Sequence, residues 1–374
     1  MKKKNILILL TSSYGGGAER LVLDQMKYHN RKKFNLYVRT LRKGNLEKEF
    51  INTAEKNNVD YESLDLKSRF SLIGLFRLNS MIRKNKINLV NTSLIEADMY
   101  GFFLKLLSHE TKFISVRQNK NQFRKNKIFG ILNYVFSLVD KKIVCVSKSV
   151  KEFINKYEYI PEKKLDVIFN AVDIKRFENT KKDKKLRKSF EYKNKKTFLI
   201  GLVGRLNKQK GHRYLFRALN ILKDKRYKNI KLLVIGKGEL EERLMKLRKD
   251  LGLDKEIEFL GFRKDIDKIY KILDLFCLPS DFEGLPLALM EAMASECCCL
   301  VSDIPENKEL TDNKKNGLTF IRGNHKDLAE KIEDLYNNTK SRKKYSKKAN
   351  EKIKKNYDIK KITKQYEELW SRLI

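Results

Sequence analysis

With 374 residues, 41% of them hydrophobic, the chain is long enough for two packed domains and too apolar to remain disordered. Its net charge of +36 points to an acidic partner: nucleic acid, an anionic membrane or a phosphate-bearing substrate. That charge is spread almost evenly along the chain, which argues against a single nucleic-acid-binding face and is equally well explained by lysine-rich codon usage.

The N-terminus, Lys2-Lys3-Lys4 before the apolar run Ile6–Leu10, is too short in its apolar part for a signal peptide, and Gly15-Gly16-Gly17 follows without a cleavage region. It reads as a first strand. Further strands are expected at Leu36–Thr40, Leu89–Asn91, Phe113–Val116, Ile143–Val146 and Asp166–Phe169. A second series follows at Phe198–Val203, Lys231–Ile235, Ile257–Leu260, Leu275–Leu278 and Cys298–Ser302. Helical stretches separate most neighbours, the pattern of parallel α/β sheets. The Lys-rich, apolar-poor run Asn179–Lys196 reads as a linker. The tail beyond Asn350 is helical, and its Tyr357, Ile362, Tyr366 and Trp370 need a surface to dock on. No stretch approaches the ~20 apolar residues of a membrane-spanning helix. Five cysteines without a C-x-x-C pair, and only four histidines, argue against zinc and fit reduced, buried thiols in the cytoplasm.

Three segments carry chemistry. Tyr14–Arg20, with Gly16 and Gly17, joins a strand to a helix, where glycines admit close backbone approach and the helix end favours anions; a plain tight turn is the alternative. Gly204-Arg205-Leu206-Asn207-Lys208-Gln209-Lys210-Gly211 follows a strand, and Arg205 and Lys210 suit a diphosphate as fork and point charge; the alternative is a solvated basic loop. Pro279–Ala294 brings Glu283, Gly284, Leu285 and Glu291 to the start of an apolar helix. Glu291 there needs a partner, either a ribose diol or a nearby lysine.

In order and spacing these segments resemble the retaining family 4 glycosyltransferases of the GT-B fold. The resemblance spans nearly the whole chain. It includes Gly16-Gly17-Ala18-Glu19, Val146-Ser147-Lys148-Ser149, Asn170-Ala171-Val172-Asp173, Gly204-Arg205 with Lys210-Gly211, Gly236-Lys237-Gly238, Gly261-Phe262-Arg263 and the Glu283/Glu291 pair. It implies two Rossmann-like domains facing a central cleft: an acceptor-binding domain over 1–180, a nucleotide-sugar-binding domain over 195–352, and a helix over 353–374 crossing back to the first. By the same resemblance Arg205 and Lys210 would neutralise the donor diphosphate and Glu291 would hold the ribose hydroxyls. Glu283 would stand near the transferred sugar, with the backbone of Gly284 and Leu285 on phosphate or sugar hydroxyls. Phe262 and Arg263 would lie against the base, with Gly204 beside the diphosphate, and Gly16 and Gly17 would face the cleft.

Two departures stand out. Arg117 occupies the place of a family histidine that contacts the donor sugar, and Glu296-Cys297-Cys298-Cys299-Leu300 replaces a Gly-x-Pro-Val-Val strand, so that turn is expected to be shaped differently. The implied reaction moves a hexose or N-acetylhexosamine from a nucleotide diphosphate sugar, with uridine the expected base on family frequency, and retains configuration. No metal or other cofactor is expected, because cations and helix-end amides can stabilise the leaving diphosphate.

The basic-apolar segments 67–86 and 112–139 suggest an anionic membrane surface, with Lys120, Arg124, Lys125 and Lys127 against the membrane or acceptor; ordinary core-packing helices with solvated outer faces are the alternative. A saccharide or lipid-linked saccharide acceptor follows, in surface polysaccharide or lipopolysaccharide synthesis, in the cytoplasm or on the inner face of its membrane. A sugar-nucleotide epimerase or phosphorylase of the same fold, a catalytically silent partner subunit and a nucleic-acid-binding protein are the competing expectations. No nucleic-acid-binding module is recognisable.

Overall fold

The structure is a computed structural model and describes residues 3–120, 125–192, 196–312 and 314–374. Short runs of Ile, Leu and Val alternate with helices that bury one stripe, and each strand-helix pair feeds the next parallel strand. The chain divides into two compact units, Met1–Ala171 with Ile359–Ile374, and Val172–Asp358.

The first unit runs β1 (Lys4–Ser12), α1 (Gly17–Tyr28), β2 (Phe34–Arg42), α2 (Glu47–Asn57), β3 (Asp60–Ser63) and α3 (Leu72–Lys84). It continues with β4 (Leu89–Ser93), α4 (Ile95–Leu107), β5 (Lys112–Arg117), α5 (Lys127–Ser137), β6 (Lys142–Cys145), α6 (Lys148–Tyr157) and β7 (Leu165–Val167). The strands form one parallel sheet in the order β3-β2-β1-β4-β5-β6-β7. Central β1 is an unbroken apolar run, Ile6–Leu10, because helices cover both faces of the sheet. The strand order reverses direction after β3, so right-handed crossovers place α1 and α2 on one face and α3, α4 and α5 on the other.

Strand β3 was missed in the sequence because it sits at the sheet edge, has Tyr61 as its single apolar residue and has no buried side chain. Its acids hold it in place: Arg39 on β2 pairs with Asp60 at 2.8 Å and Glu62 at 3.3 Å, a cross-strand ion pair with no apolar signature.

The second unit runs α7 (Ile174–Glu178), α8 (Lys184–Ser189), β8 (Phe198–Val203), α9 (His212–Asp224), β9 (Ile230–Ile235), α10 (Glu241–Asp250) and β10 (Ile257–Gly261). After these come α11 (Ile266–Ile272), β11 (Leu275–Leu278), α12 (Leu287–Ala294), β12 (Cys299–Ser302), α13 (Pro305–Thr311), β13 (Leu318–Phe320), α14 (His325–Asn337) and α15 (Thr339–Asn356). Its sheet is parallel in the order β10-β9-β8-β11-β12-β13. Edge strand β13 is three residues long, too short to show an alternation. All five cysteines are unbridged and buried, and burial pushes the thiols up, so they serve as small apolar groups. At the end of α12, Glu296 adopts φ +59, a left-handed conformation that glycine would take without strain and that costs glutamate about 1 kcal/mol more.

The last helix, α16 (Ile359–Leu373), packs against α1 in the first unit. It buries Ile359, Ile362, Tyr366, Leu369 and Trp370, a single stripe at helical spacing. Trp370 meets the Phe34 ring edge-on at 5.6 Å between centroids. Trp370→Ala should therefore cost about 3–5 kcal/mol. Thermal unfolding followed by circular dichroism should show a lowered first-unit transition; an unchanged transition would mean the helix is not part of that core.

Candidate active site

In the second unit, β8 has β9 on one side and β11 on the other, while the chain runs β8 to β9 to β10 before returning to β11. The strand order switches between β8 and β11, so the loops leaving their carboxyl ends diverge around a crevice, the usual ligand position in an open α/β sheet. These loops, 204–211 and 279–286, are two of the three segments singled out in the sequence.

The first loop is shaped locally. Asn207 caps the short turn Lys208–Lys210, its Oδ1 accepting from the Lys210 N–H at 3.2 Å, and Gly211 then takes φ +65 to start α9. A Cβ on Gly211 would lie 2.0 Å from the Pro279 carbonyl oxygen, so only glycine lets the two loops meet. They are tied further by the Asp281 N–H donating to the Gln209 carbonyl at 2.8 Å and by Gln209 Nε2 donating to the Phe282 carbonyl at 2.8 Å. The loop after β9 joins them, with the Gly204 N–H on the Ile235 carbonyl and the Leu206 N–H on the Lys237 carbonyl.

Glu283 is the centre of this assembly. It is 5% exposed, and its Oε1 accepts from Lys210 Nζ and from Ser280 Oγ, each at 2.6 Å, while Oε2 accepts from Gln209 Nε2 at 3.3 Å. The Lys210 stem lies over Gly204, where a Cβ would stand 3.2 Å from its methylenes. The Arg205 side chain, by contrast, is exposed and forms no hydrogen bond or ion pair among the described residues. A paired lysine and an unpaired guanidinium thus share one loop at the switch point. Gly284 and Leu285 are buried and lead through Pro286 into α12, whose first-turn amides carry the positive end of the helix.

Glu291, on the second turn of α12, accepts from the buried Tyr270 hydroxyl at 3.1 Å, and burial together with that carboxylate pushes the phenol well up. The sequence had offered a lysine or a ribose as its partner; a tyrosine from α11 was not visible because the two residues are neighbours only through packing. Phe262 follows β10 and is exposed, whereas Arg263 is occupied by Asp265 through two bonds of 2.9 and 2.7 Å. Asp267 accepts from Thr180 and Arg176. Ser280 and Gln209 were also missed, although each lies within three residues of a residue that was named.

In the first unit, Gly16 and Gly17 begin α1, and the Gly16 N–H donates to the Glu19 carboxylate at 2.9 Å. Arg117 corrects an expectation. It was set against the donor sugar, but its side chain is 1% exposed and pairs with Asp98 at 2.7 Å and Glu158 at 3.3 Å. Asp140 is a third carboxylate near this guanidinium. Burial pushes Asp140, which accepts from Ser115 Oγ at 2.6 Å, up to about 7. Lys120 donates to Ser149 Oγ at 2.8 Å, Lys125 and Lys127 are exposed, and Arg124 lies outside the described residues.

Models of two families match the chain: Glycosyltransferase Family 4 over residues 15–176 and Glycosyl transferases group 1 over residues 181–352. An uncharacterized glycosyltransferase of Methanocaldococcus jannaschii is 30% identical over 84% of this chain and 76% of its own length. The chain belongs to glycosyltransferase family 4. The family assignment makes this protein a glycosyltransferase, and the Arg205–Lys210 loop lies in the half matched by the Glycosyl transferases group 1 model. The UDP-Gal:alpha-D-GlcNAc-diphosphoundecaprenol alpha-1,3-galactosyltransferase of Escherichia coli is 28% identical; the match spans 67% of this chain and 66% of that enzyme's length. A crystal structure of Anabaena Alr3699/HepE in complex with UDP and glucose has a TM-score of 0.85 at 20% identity, covering 99% of this chain and 100% of that one, and establishes the fold as GT-B.

Two outcomes follow for this glycosyltransferase. Lys210→Met should destabilise the second unit by about 3 kcal/mol, because it strands a buried carboxylate, while Lys210→Met/Glu283→Gln should lose distinctly less. Equal losses in calorimetry would show that the pair is not coupled. Beside Lys210, burial lowers the His212 imidazole to about 4, and neither ring nitrogen has a hydrogen-bond partner. The unfolded chain takes up that proton near pH 6.5 and the folded one only near 4, so stability is full above 6.5 and is lost as pH falls through this window, by about 3 kcal/mol. The difference in stability between wild type and His212→Leu should change by that amount between pH 7 and about 4; a constant difference would mean the imidazole titrates normally.

Proposed function

We propose that this glycosyltransferase moves a hexose or N-acetylhexosamine from a UDP-sugar to a lipid-linked saccharide, with retention at the anomeric carbon, during assembly of a surface polysaccharide. The single observation that carries the proposal is the pairing of a free Arg205 with an anchored Lys210 at the switch point of the second unit. The E. coli relative, which uses UDP-galactose and a diphosphoundecaprenol-linked acceptor, supports the donor and acceptor classes.

The bond from the anomeric carbon to the β-phosphate oxygen breaks, and the acceptor oxygen bonds to the same face of that carbon. The acceptor proton passes to the departing phosphate. Negative charge grows on the diphosphate as the bond lengthens. Arg205 and the remaining Lys210 N–H donors lie where that charge can be met, with the amides opening α12, so the side chains supply the stabilisation without a metal or other cofactor. Glu283 holds Lys210 in place and stands near the transferred sugar. Glu291, oriented by Tyr270, takes the ribose hydroxyls. The exposed Phe262, with Arg263 beside it, lies against the base. Gly284 and Leu285 offer backbone groups to phosphate or sugar hydroxyls.

The test combines a panel of UDP-sugars with undecaprenyl-diphosphate-linked N-acetylglucosamine, reading UDP release and the product's anomeric configuration by NMR. Arg205→Ala should lower kcat/KM on the order of 10²–10³-fold. Its folding should be untouched, because the side chain is exposed and unpaired. Wild-type turnover by the Arg205→Ala enzyme, or an inverted product, would overturn the assignment.

A further inference from the structure

Helix α5 is inverted. A surface helix ordinarily buries its apolar stripe, but α5 buries Gly130, Asn133 and Ser137 and exposes Ile128, Phe129, Ile131, Leu132 and Tyr134. Ile128 is 74% exposed. The cause is local: Gly130 lies against the Tyr157 carbonyl oxygen, where a Cβ would come within 2.2 Å, so only the small and polar face of α5 can approach α6. On α3 the first two turns likewise expose Leu72, Ile73 and Phe76, with Ile73 at 75%. The two patches are one surface. Both helices pack against α4, and a ladder of rings crosses it: Phe70 to Phe103 at 5.1 Å, Phe103 to Phe102 at 5.5 Å and Phe102 to Phe136 at 5.5 Å. Leu106 on α4 adds a further exposed side chain.

So large an apolar face on one side of a domain marks an interaction site. Its surroundings select the occupant. Residues 66–95 and 111–139 contain no acid; between them α4 carries Glu96, which pairs with Arg42 and lies 3.9 Å from Arg69, and Asp98, which is spent on Arg117, while exposed Lys67 and Arg69 precede α3 and exposed Lys125 and Lys127 stand at the start of α5. A second copy of this chain would bring two such basic rims together and repel. At 11 residues α5 is about 16 Å long, too short to span the ~30 Å hydrocarbon layer. We infer that α3, α4 and α5 form an in-plane docking face for an anionic lipid bilayer, with apolar side chains among the acyl chains and the basic rim on the headgroups. The link to catalysis rests on the proposed lipid-linked acceptor, which such a face would hold in the same plane as the enzyme; bilayer binding itself does not depend on it.

Cosedimentation of the full chain with phosphatidylcholine vesicles, with and without phosphatidylglycerol, tests the face. The chain should pellet with the anionic vesicles and be released by salt. Leu72→Ser/Ile73→Ser combined with Ile128→Ser/Ile131→Ser should lower the partition coefficient on the order of a hundredfold. These side chains are exposed, so titration with UDP should match the wild type and show that the variant is folded. Wild-type partitioning by the variant overturns the inference. So does a wild-type chain that ignores anionic vesicles, or one that is a dimer without lipid and becomes monomeric on substitution. Vesicle binding without any UDP-sugar turnover would sink the proposed function and leave the docking face standing; turnover without vesicle binding would do the reverse.

Discussion

Everything proposed for the second unit depends on the contact between the loops that leave β8 and β11. Parallel strands place their carboxyl ends on one edge, but they do not by themselves hold two loops at a fixed separation. Here Gly211 allows backbone contact with Pro279, Gln209 bridges to Phe282, and the Lys210–Glu283 pair closes the join. The pair is largely buried and has further donors in Ser280 and Gln209, which is what a buried ion pair requires to offset the loss of water. A side chain held in this way would meet the proposed diphosphate without reorganisation, and preorganisation is where electrostatic catalysis gains its advantage. Arg205 completes the arrangement because no acid among the described residues consumes its charge.

The first unit uses polarity differently. Arg117 stands at the end of a strand, where a cation could meet a ligand, yet Asp98 and Glu158 enclose it. Its charge serves the interior, linking β5 to α4 and to the residue that ends α6. On the opposite account, the apolar groups of α5 that could have filled a core face outward, and three small or polar residues face inward. A buried arginine and an exposed isoleucine in the same unit both depart from the usual partition between interior and surface. Both have a visible local cause: two acids for the arginine, and a carbonyl oxygen against Gly130 for the helix.

Much of the fold was readable from patterning. Every internal strand of both sheets shows as an apolar run, because burial on two faces demands it. Edge strands β3 and β13 escaped, the first because charged pairs hold it and the second because three residues make no pattern. In the candidate site, Arg205, Lys210, Glu283 and Glu291 could be singled out because a glycine-bounded basic loop and two carboxylates flanking a helix start are unusual local sequences. Their partners Ser280, Gln209 and Tyr270 were not, since a hydrogen bond between loops or neighbouring helices leaves no mark on either segment alone.

By itself the sequence determined the alternating α/β architecture, the two series of strands and the positions of the chemical groups, since each follows from local periodicity and residue type. Only the tertiary structure decided which charges are free and which are spent. Arg205 and Arg117 are chemically identical and both follow apolar runs, but one projects into solvent and the other meets acids 19 and 41 residues away. The same holds for α5, whose composition reads as a core helix and whose orientation is set by one close approach to α6. Charge and hydrophobicity belong to residues, whereas availability depends on the neighbours that folding brings to them.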